Sequence, residues 1–498
     1  MRPSARPVSR LPFLVLTFLL LWLRPTIGAS AVAESPRPNV IFLLTDDQRW
    51  DWIGYADPRI KTPNLDRLAR DGTIFENCFA VTPICALSRA SILSGQYPRR
   101  HGIDDFLKTF TEEQNQQLYP TLLRQGGYYT GFIGKWGIGD TAEATAAAAT
   151  LFDFWAGQPR QTNYWHEKDC HYVLTNGADN LCDCPHPEAG KQGFENRVGR
   201  KGLADPIHVD GQVVPIKVSQ FLDATPEGQP FCLSVSFKGP HNPVADFDPR
   251  FADDYKTENL PVPATATHAA ADTRPEFFKG HLGRTSGKKY LDKKGLLQGN
   301  IRAEARLIMS VDEAVGRLVK ELETRGLADN TVILFTSDHG YFHGEFGLTG
   351  KWLTYDPSIR VPGFINDPRP GANLPPTSDD IILTIDFTTT ILGLAGVAAP
   401  STMQGSDIYD ALTGSTDWRT HAFFEHPYSH AGQILPTEAI FDRKWKYIRY
   451  VDRQPVYEEL FDWTKDPLEL TNLAADPAHA GELERIRNLH AADAESLR

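Results

Sequence analysis

The sequence of 498 residues lacks long single-residue tracts and internal repeats, and it has no excess of basic residues. The composition, with 41% apolar and 23% charged residues, is that of an ordinary globular protein. Together with the absence of tracts and repeats, it argues against a disordered or fibrous chain. The formal net charge of -12 argues against nucleic acid or an anionic membrane surface as a partner, since both favour a basic face. An anionic small substrate would therefore need a local cationic pocket. The length predicts one large domain and a smaller one.

The start of the chain has the layout of a secretory signal peptide. Basic residues precede an apolar run at 11–23, and small residues follow at 31–33. The run is short for a membrane span and Arg24 ends it, which favours cleavage over a membrane anchor. No second apolar span follows. We therefore expect residues 1–33 to be a signal peptide and the mature protein to be exported to the periplasm or the extracellular space.

Three of the six cysteines lie close together in a polar segment. In an oxidising compartment such a cluster predicts one disulfide in a loop, although the sequence does not say which two cysteines pair. A structural metal site that also uses His166, His171 or His186 is the alternative. The cluster consists of Cys170, Cys182 and Cys184, and the other cysteines are Cys78, Cys85 and Cys232.

Four apolar segments rich in β-branched or aromatic residues, each ending in a polar cluster, alternate with stretches of helical spacing. This alternation predicts an α/β fold in which helices flank a mostly parallel sheet whose strands are buried on both faces. The predicted strands are 40–44, 128–133, 231–237 and 331–335. One predicted helix begins after an N-cap at Thr62 and ends before Gly72, and another runs through 307–322 and stops at Gly326.

After Gly414 the pattern changes to short strand-like segments followed by a polar helical tail. The strand-like segments are 422–425, 439–441, 445–450 and 460–462. We predict a smaller C-terminal α+β domain at 416–498 with a short antiparallel sheet, after a large domain at 34–415.

The polar clusters after the predicted strands carry a metal-binding signal. Ligands of open α/β sheets bind beyond the carboxyl ends of the strands, so these clusters are expected to meet at one site. Asp46 and Asp47 follow a buried strand, where two carboxylates are costly unless a cation lies between them. An isolated pair could equally cap a helix or face solvent, but Asp338 and His339 end another strand in the same way. Mostly oxygen ligands with one nitrogen favour Ca²⁺ or Mg²⁺ over Zn²⁺ and leave Mn²⁺ open.

The segment 85–95, CALSRASILSG, carries the most information. It resembles the maturation signature of the type I sulfatases, members of the alkaline-phosphatase-like superfamily, in which the first Cys is oxidised to formylglycine and an Arg follows four residues later. The resemblance extends over nearly the whole mature chain. It includes the motifs at 134–136, 238–243, 337–340, 350–351 and 445–447.

The resemblance implies a sulfatase, a hydrolase of sulfuric esters. A sulfate ester offers no basic group, so its cleavage needs several fixed cations and a Lewis acid. By the resemblance, the metal ligands would be Asp46, Asp47, Asp338 and His339 together with the modified side chain of Cys85, and the ion would be Ca²⁺, with Mg²⁺ or Mn²⁺ as alternatives. The sulfate pocket and the substrate contacts would be formed by Arg89, Lys135, Lys238, His241 and Lys351.

The resemblance also implies a mechanism. A formylglycine-generating enzyme would convert Cys85, and the hydrated aldehyde would attack sulfur and expel the alcohol. Arg89, Lys135 and Lys351 would assist, and His241 would protonate the leaving alcohol. Export and a polar pocket favour a sulfated carbohydrate over a lipid or steroid, which would need a membrane-facing apolar patch.

Two positions depart from the family pattern. Leu87 stands where the signature usually has Pro or Ala, and Gly137 stands where the family commonly has a His that contacts formylglycine. Either water or another residue, with His101 and His343 as candidates, replaces that histidine, or the activity is altered. Two other functions stay open, namely hydrolysis of phosphate or phosphonate esters on the same fold and binding of sulfated glycans without turnover.

Overall fold

The computed structural model describes residue 1 and residues 37–158, 160–165 and 208–498. Residues 37–498 form one compact unit. Three parts of the sequence analysis lie outside the described residues: residues 2–33 of the predicted signal peptide, the cysteine cluster at 170–184, and the three histidines considered with that cluster. Cys78, Cys85 and Cys232 are buried free thiols. Within the described ranges, no helix combines the length and apolar character needed to cross a membrane.

Most strands of the described chain belong to two sheets. Their bounds are β1 (Asn39–Asp46), β2 (Thr73–Phe79), β3 (Tyr129–Lys135), β4 (Phe154–Gln158), β5 (Phe231–Pro240), β6 (Thr331–Ser337), β7 (Phe342–His343), β8 (Thr349–Gly350), β9 (Gly363–Asn366), β10 (Thr377–Leu383), β11 (His421–His426), β12 (Thr437–Asp442), β13 (Trp445–Tyr450) and β14 (Tyr457–Asp462). The larger sheet has the order β10-β2-β9-β6-β1-β5-β3-β4, and β9 runs antiparallel to both of its neighbours while the other pairs are parallel.

The helices pack mainly around this larger sheet. Their bounds are α1 (Pro63–Arg70), α2 (Cys85–Ser94), α3 (Pro98–His101), α4 (Glu112–Asn115), α5 (Tyr119–Gln125), α6 (Ala142–Ala149), α7 (Val214–Ala224), α8 (His268–Asp272), α9 (Leu282–Asp292), α10 (Leu296–Thr324), α11 (Asp356–Ile359), α12 (Asp386–Leu394), α13 (Ile408–Leu412) and α14 (Ala480–Ser496).

Alternate residues of the central strand β1 enter different cores, because successive side chains of a strand point to opposite faces. Val40, Phe42 and Leu44 belong to an apolar cluster with side chains of α2, α5 and α12. Ile41 and Leu43 belong to a second cluster with side chains of α1, α7 and α10. Two helix layers therefore cover the sheet, which explains why the strand sequences are continuously apolar.

The predicted α/β fold is confirmed. The four predicted strands are β1, β3, β5 and β6, and they lie side by side in the order β6-β1-β5-β3. Val40 of β1 pairs with Cys232 of β5 and with Val332 of β6, so the three strands share a parallel register.

Both predicted helices exist, and only the start of the second differs from the prediction. The first is α1, with Thr62 at its N-cap. The Thr62 side chain does not cap the helix; it accepts a hydrogen bond from the Gly54 N–H (2.7 Å) and donates to Asp66 Oδ1 (2.9 Å). The second is α10, which begins earlier than predicted, at Leu296.

The predicted antiparallel C-terminal sheet is also confirmed, in the order β11-β12-β13-β14. One face packs against Leu483 and Ile486 of α14. The other packs on residues that include Phe79 and Tyr355 of the larger sheet region. The predicted domain limit at 415/416 falls between α13 and β11 and stays a prediction.

Candidate active site

Four neighbouring strands carry candidate residues to one edge of the larger sheet. Asp46 ends β1, Lys135 ends β3, Lys238 lies near the end of β5, and Asp338 directly follows β6. Since these strands are parallel, their carboxyl ends share an edge. The four polar clusters therefore meet at one site.

Carboxylates and imidazoles surround a small space beside Cys85. Two overlapping groups of ligand atoms each lie within 4.8 Å of one another: Asp46, Cys85, Asp338 and His339 form one, and Asp46, Asp47, Cys85 and His241 form the other. Except for the partly buried His241, every member is buried. The structure thus brings together all of the predicted metal ligands.

The buried carboxylates need positive charge, because burial penalises their ionised form. Burial raises the pKa of Asp47 to about 7, although Lys351 and His339 lower it. Burial acts on Asp46 too, but Lys135 and other basic neighbours hold the pKa of Asp46 well below its usual range. Asp47 also has a φ of 68°, a left-handed conformation that non-glycine residues adopt at a cost. A divalent cation would therefore stabilise the ionised form of Asp47 more than that of Asp46.

His339 has the orientation of a metal ligand. Its Nδ1 lies 3.0 Å from the carbonyl oxygen of Gly340, which can only accept, so Nδ1 carries the proton. Nε2 keeps its lone pair and lies 3.5 Å from Asp338 Oδ1 and 3.3 Å from Cys85 Sγ. A backbone partner that fixes the tautomer is typical of metal-binding histidines. The donor set therefore fits a divalent cation.

Cys85 is the first residue of α2, and its thiol points into this cluster. Sγ lies 2.9 Å from Lys351 Nζ and 3.7 Å from Asp46 Oδ1. The Cys85 residue is only 2% exposed, so its neighbours rather than solvent determine its environment. Lys351 Nζ also donates to Asp47 Oδ1 (2.7 Å), which makes this lysine a bridge between residue 85 and the carboxylates.

Arg89 of α2 and Lys135 of β3 contact the carboxylates. Arg89 Nε donates to Asp338 Oδ2 (2.9 Å), and its Nη2 lies 3.2 Å from Asp46 Oδ2. Lys135 Nζ donates to the same Asp46 oxygen. Both cations are buried, so little solvent screens them. The site is thus a compact array of buried charges of both signs.

Lys238 and Gln161 extend the basic side of the site. The Nζ of Lys238 donates to the backbone oxygen of Gln161 (2.6 Å) and lies 5.0 Å from the centre of the Tyr164 ring. The side chain of Gln161 accepts from Lys135 Nζ (2.7 Å). Burial, together with Lys135, lowers the pKa of Lys238 to about 8.

His241 lies at the open side of the cluster. Its Nδ1 is 2.7 Å from the Asn242 carbonyl oxygen, so Nδ1 donates and Nε2 carries the lone pair, 3.7 Å from Asp47 Oδ2. Burial holds the pKa of His241 well below its usual value, so the ring is neutral near neutral pH in the free protein.

Comparison with known proteins gives the family. A family model described as Sulfatase matches residues 38–397, which is most of the chain. The chain belongs to the sulfatase family. A second model, described as N-sulphoglucosamine sulphohydrolase, C-terminal, matches residues 344–492. The family resemblance seen in the sequence is thereby confirmed.

Several relatives of this sulfatase have named activities. It is 29% identical to an N-acetylglucosamine-6-O-sulfatase of Bacteroides thetaiotaomicron over 92% of this chain and 86% of that protein. It is 27% identical to an N-acetylglucosamine-6-sulfatase of Homo sapiens over 92% of this chain and 84% of that protein.

Solved structures share the fold of this sulfatase. One is a protein in complex with its substrate D-glucosamine-2-N,6-O-disulfate, with a TM-score of 0.71 and 25% identity over 93% of this chain and 98% of that one. A phosphonate monoester hydrolase from Silicibacter pomeroyi has a TM-score of 0.72 and 23% identity over 92% and 95% of the two chains. The second likeness concerns the fold alone.

Gly137, one of the two departures from the family pattern, occupies a position closed to a side chain. Its φ is 74°, and a Cβ there would lie 2.9 Å from Arg89 Cδ and 3.3 Å from Lys135 Cε. The stems of these two basic residues therefore fill the space. The candidate substitutes have other partners: His101 lies 3.0 Å from Ser91 Oγ, and His343 lies 2.9 Å from Glu304 Oε1.

Leu87, the second departure, packs in the first turn of α2. It belongs to a buried apolar cluster with Ile84 and Ala86, against which Trp352 is packed. In the folded sulfatase this side chain therefore stabilises the start of the helix that carries Cys85.

Sequence reasoning missed Gln161 and Asp210. Asp210 lies in a π-helical turn (Val209–Val213), and its carboxylate accepts from the N–H groups of Lys238 (3.2 Å) and Gly239 (2.8 Å). It thereby fixes the end of β5. Gln161 could have been identified from the sequence, because it follows the apolar run of β4. Since β4 is parallel to β3, residues that follow β4 lie at the same edge of the sheet as Lys135. Asp210 lies in this helical turn and not directly after one of the described strands of the larger sheet, so the strand-end rule used for the other residues does not identify it.

Proposed function

We propose that this protein hydrolyses sulfate esters of carbohydrates and releases sulfate. The observation that carries the proposal is the convergence of Lys135, Lys351 and Arg89 with buried carboxylates around Cys85. Cleavage of a sulfate ester builds negative charge on oxygens at sulfur, and fixed cations stabilise that charge without reorganisation. The relatives named for 6-sulfated N-acetylglucosamine suggest the first substrates to test.

We propose Ca²⁺ as the cation of this site, with Mg²⁺ or Mn²⁺ as the alternatives. Its ligands would be Asp46, Asp47, Asp338 and His339, with residue 85. The oxygen-rich donor set supports a hard cation over Zn²⁺. When bound, the cation supplies Lewis-acid polarisation at the reacting centre.

We propose that a formylglycine-generating enzyme converts Cys85. Formylglycine supplies the nucleophile of the reaction. The place of the Cys85 side chain supports this role, because Sγ lies within hydrogen-bonding distance of both Lys351 Nζ (2.9 Å) and His339 Nε2 (3.3 Å). Lys351 can therefore orient the end of this side chain and stabilise negative charge there.

The remaining basic residues would bind and orient the sulfate group. Arg89 and Lys135 are fixed by Asp46, so their charges are already in place when substrate arrives. Lys238 has a pKa of about 8 in the free protein, and an incoming sulfate raises that pKa by stabilising the ammonium form. The anion therefore increases the positive charge of its own pocket.

His241 would donate a proton to the leaving alcohol at Nε2. Since the ring is neutral in the free protein, the proton has to be taken up when the anionic ester is bound beside it. The carbonyl of Asn242 holds Nδ1–H at 2.7 Å and so keeps Nε2 directed into the site.

Sulfate release from N-acetylglucosamine 6-sulfate, compared with phosphate release from the matching 6-phosphate, tests the function. We expect sulfate release to exceed phosphate release, and we expect Cys85→Ala to abolish it. Cys232→Ala is the matched control, because Cys232 is a buried free thiol in β5. Peptide mass spectrometry should find an aldehyde at residue 85 of the active protein. Faster phosphate release would favour phosphate ester hydrolysis, and binding without release of either anion would favour a non-catalytic glycan-binding protein.

Export to the periplasm or extracellular space is part of the proposal. It rests on the basic and apolar pattern of residues 1–33. Cell fractionation with sequencing of the mature N-terminus tests it, and an uncleaved cytoplasmic protein would contradict it.

A further inference from the structure

The motif at 445–447 contains a lysine that is shielded from solvent. Lys446 belongs to β13 of the C-terminal sheet and is only 1% exposed. Its Nζ donates to Glu469 Oε1 (2.6 Å) and to Asp356 Oδ1. Both carboxylates are buried too, so solvent screens the three charges little. Within the described part of the chain, this cluster shares no ion pair with the charges around Cys85.

The cluster joins the C-terminal sheet to the segment that carries Lys351. Asp356 begins α11, and the segment 351–356 connects it to Lys351. The N–H of Asp356 donates to Glu469 Oε2 (3.0 Å), and its carboxylate accepts from Lys446. Asp356 is therefore held both by its backbone and by its side chain.

Tyr355 gives the same segment a second bond to the C-terminal sheet. Its hydroxyl donates to Glu459 Oε2 (2.6 Å) of β14, and the hydroxyl of Tyr450 of β13 donates to the same oxygen (2.9 Å). All three side chains are buried. The consecutive residues 355 and 356 are thus fixed to two neighbouring strands of the C-terminal sheet.

The segment depends on these bonds because regular secondary structure holds little of it. β8 ends just before Lys351, and α11 begins only at Asp356. Between them Trp352 has a φ of 77°, a left-handed conformation that non-glycine residues adopt at a cost. Glu469 has such a backbone too, with a φ of 54°, and Arg274 donates to its carbonyl oxygen (2.9 Å). Strained residues persist where their surroundings fix them.

Lys446 supplies most of the positive charge that this cluster needs. Burial raises the pKa of Glu469 to about 7, although Lys446 lowers it. Without Lys446 the two carboxylates would repel each other in a buried setting, and only the more distant Arg360, 3.8 Å from Asp356 Oδ2, would remain. Repulsion from Glu469 would then displace Asp356 and the segment before it.

We propose that Lys446 and Glu469 are positioning residues, which act through Asp356 to hold the Lys351 ammonium beside residue 85. Lys351 Nζ lies 2.9 Å from Cys85 Sγ, so a small shift of the segment would break this contact. The proposal rests on the proposed sulfatase function and adds a part in catalysis for the C-terminal sheet.

The variant Lys446→Met tests the proposal, because it removes the charge and keeps an unbranched side chain. In folded full-length protein, we expect kcat for 4-nitrophenyl sulfate to fall about 100-fold, the loss that a displacement of about 1 Å can cause, and KM to change less than about threefold. KM should be nearly constant because Arg89, Lys135 and Lys238 still bind the sulfate group. Unchanged kcat in folded Lys446→Met would overturn the proposal.

Arg99→Met is the matched control. Arg99 of α3 also lies between two carboxylates of the C-terminal sheet, Glu425 (2.7 Å) and Glu438 (2.9 Å). The segment that it holds does not lead to Lys351. We expect both variants to lower the unfolding temperature and Arg99→Met to keep the kcat of wild type. An equal loss of kcat in both would indicate a general effect of destabilisation and would overturn the proposal.

A double-mutant cycle tests whether Lys446 acts through Lys351. If it does, adding Lys446→Met to Lys351→Ala should lower kcat by less than about threefold further, because the positioned group is already absent. A further loss of about 100-fold would show that the two residues act independently and would overturn the proposal.

Tyr355→Phe keeps the proposal testable if Lys446→Met does not fold. It removes one hydroxyl and leaves Glu459 bonded to Tyr450. We expect kcat to fall about tenfold, and the loss to disappear in the Lys351→Ala background. An unchanged kcat would contradict the positioning role.

The outcomes separate the two proposals. If wild type releases no sulfate from any ester, the proposed function fails and the positioning role falls with it. If wild type is active and kcat is insensitive to the changes at 446 and 355, the sulfatase function stands and only the positioning role falls.

Discussion

Replacing Gly137 by alanine perturbs the active site through one added carbon atom. The new Cβ would lie 2.9 Å from Arg89 Cδ, 3.3 Å from Lys135 Cε and 3.4 Å from Arg89 Nε, in a backbone conformation with φ of 74°. The left-handed backbone costs a non-glycine residue about 1–2 kcal/mol, and overpacking costs about 1–3 kcal/mol more. We therefore expect Gly137→Ala to lower the free energy of unfolding by about 2–5 kcal/mol.

The control for this variant is Gly102→Ala. Gly102 has the same φ of 74°, but no atom lies within 4 Å of its ideal Cβ position. Its substitution should cost only the backbone term of about 1–2 kcal/mol, so the difference between the two variants isolates the contact with Arg89. Denaturant unfolding at unchanged m-value measures both.

Activity should separate the two variants more sharply than stability. Pushing Arg89 away would disturb its bonds to Asp338 (2.9 Å) and to the Lys135 carbonyl oxygen (2.9 Å). Because a displacement of about 1 Å in a catalytic array can cost about 100-fold in rate, we expect a loss of that order in kcat/KM for Gly137→Ala and none for Gly102→Ala. Equal stability and full activity of both variants would refute the idea that Arg89 and Lys135 fill the space at position 137.

Three further perturbations have defined outcomes. Gln161→Ala removes the side-chain acceptor of Lys135 and keeps the backbone oxygen that accepts from Lys238, so it should raise KM for sulfate esters about tenfold with unchanged stability. An unchanged KM would contradict this. Burial raises the pKa of Asp312 to about 6, so the stability that its protonated form contributes is present below about pH 4 and is lost as pH rises through 6. The free energy of unfolding of wild type, measured with denaturant, should therefore fall relative to that of Asp312→Asn by up to about 3 kcal/mol between about pH 4 and 7. A difference that does not change with pH would contradict the raised pKa of Asp312. Removal of divalent cation by a chelator should lower both the unfolding temperature and sulfate release, and added Ca²⁺ should restore both. At a thousandfold excess over Kd, Ca²⁺ should raise the free energy of unfolding by about 4 kcal/mol. Insensitivity to the chelator would contradict the metal site.

The central strands could be predicted because burial on both faces leaves a continuous apolar run that only a few residue types satisfy. β1, β3, β5 and β6 are such strands, and the polar residues that follow them are the ones that meet at the site. The antiparallel strand β9 escaped prediction because its four residues, Gly363–Asn366, carry too short a pattern.

The early part of α10 escaped prediction for a different physical reason. Its residues Leu297 and Ile301 pack in a cluster with Trp52 and Tyr255 rather than against the sheet. The apolar stripe therefore shifts along the helix, and a single periodic pattern covers only the later part. Gln161 and Glu304 gain their surroundings from segments distant in the chain, which no local spacing reveals.

Helix α10 joins two parts of the molecule. Its later half packs against the sheet through residues such as Val311 and Val315, whereas Leu297 and Ile301 of its earlier half pack with Trp52 and Tyr255. A substitution in the earlier half can therefore change the packing of the loops that hold Trp52 and Tyr255, while the strands that carry the charged residues keep their helix cover.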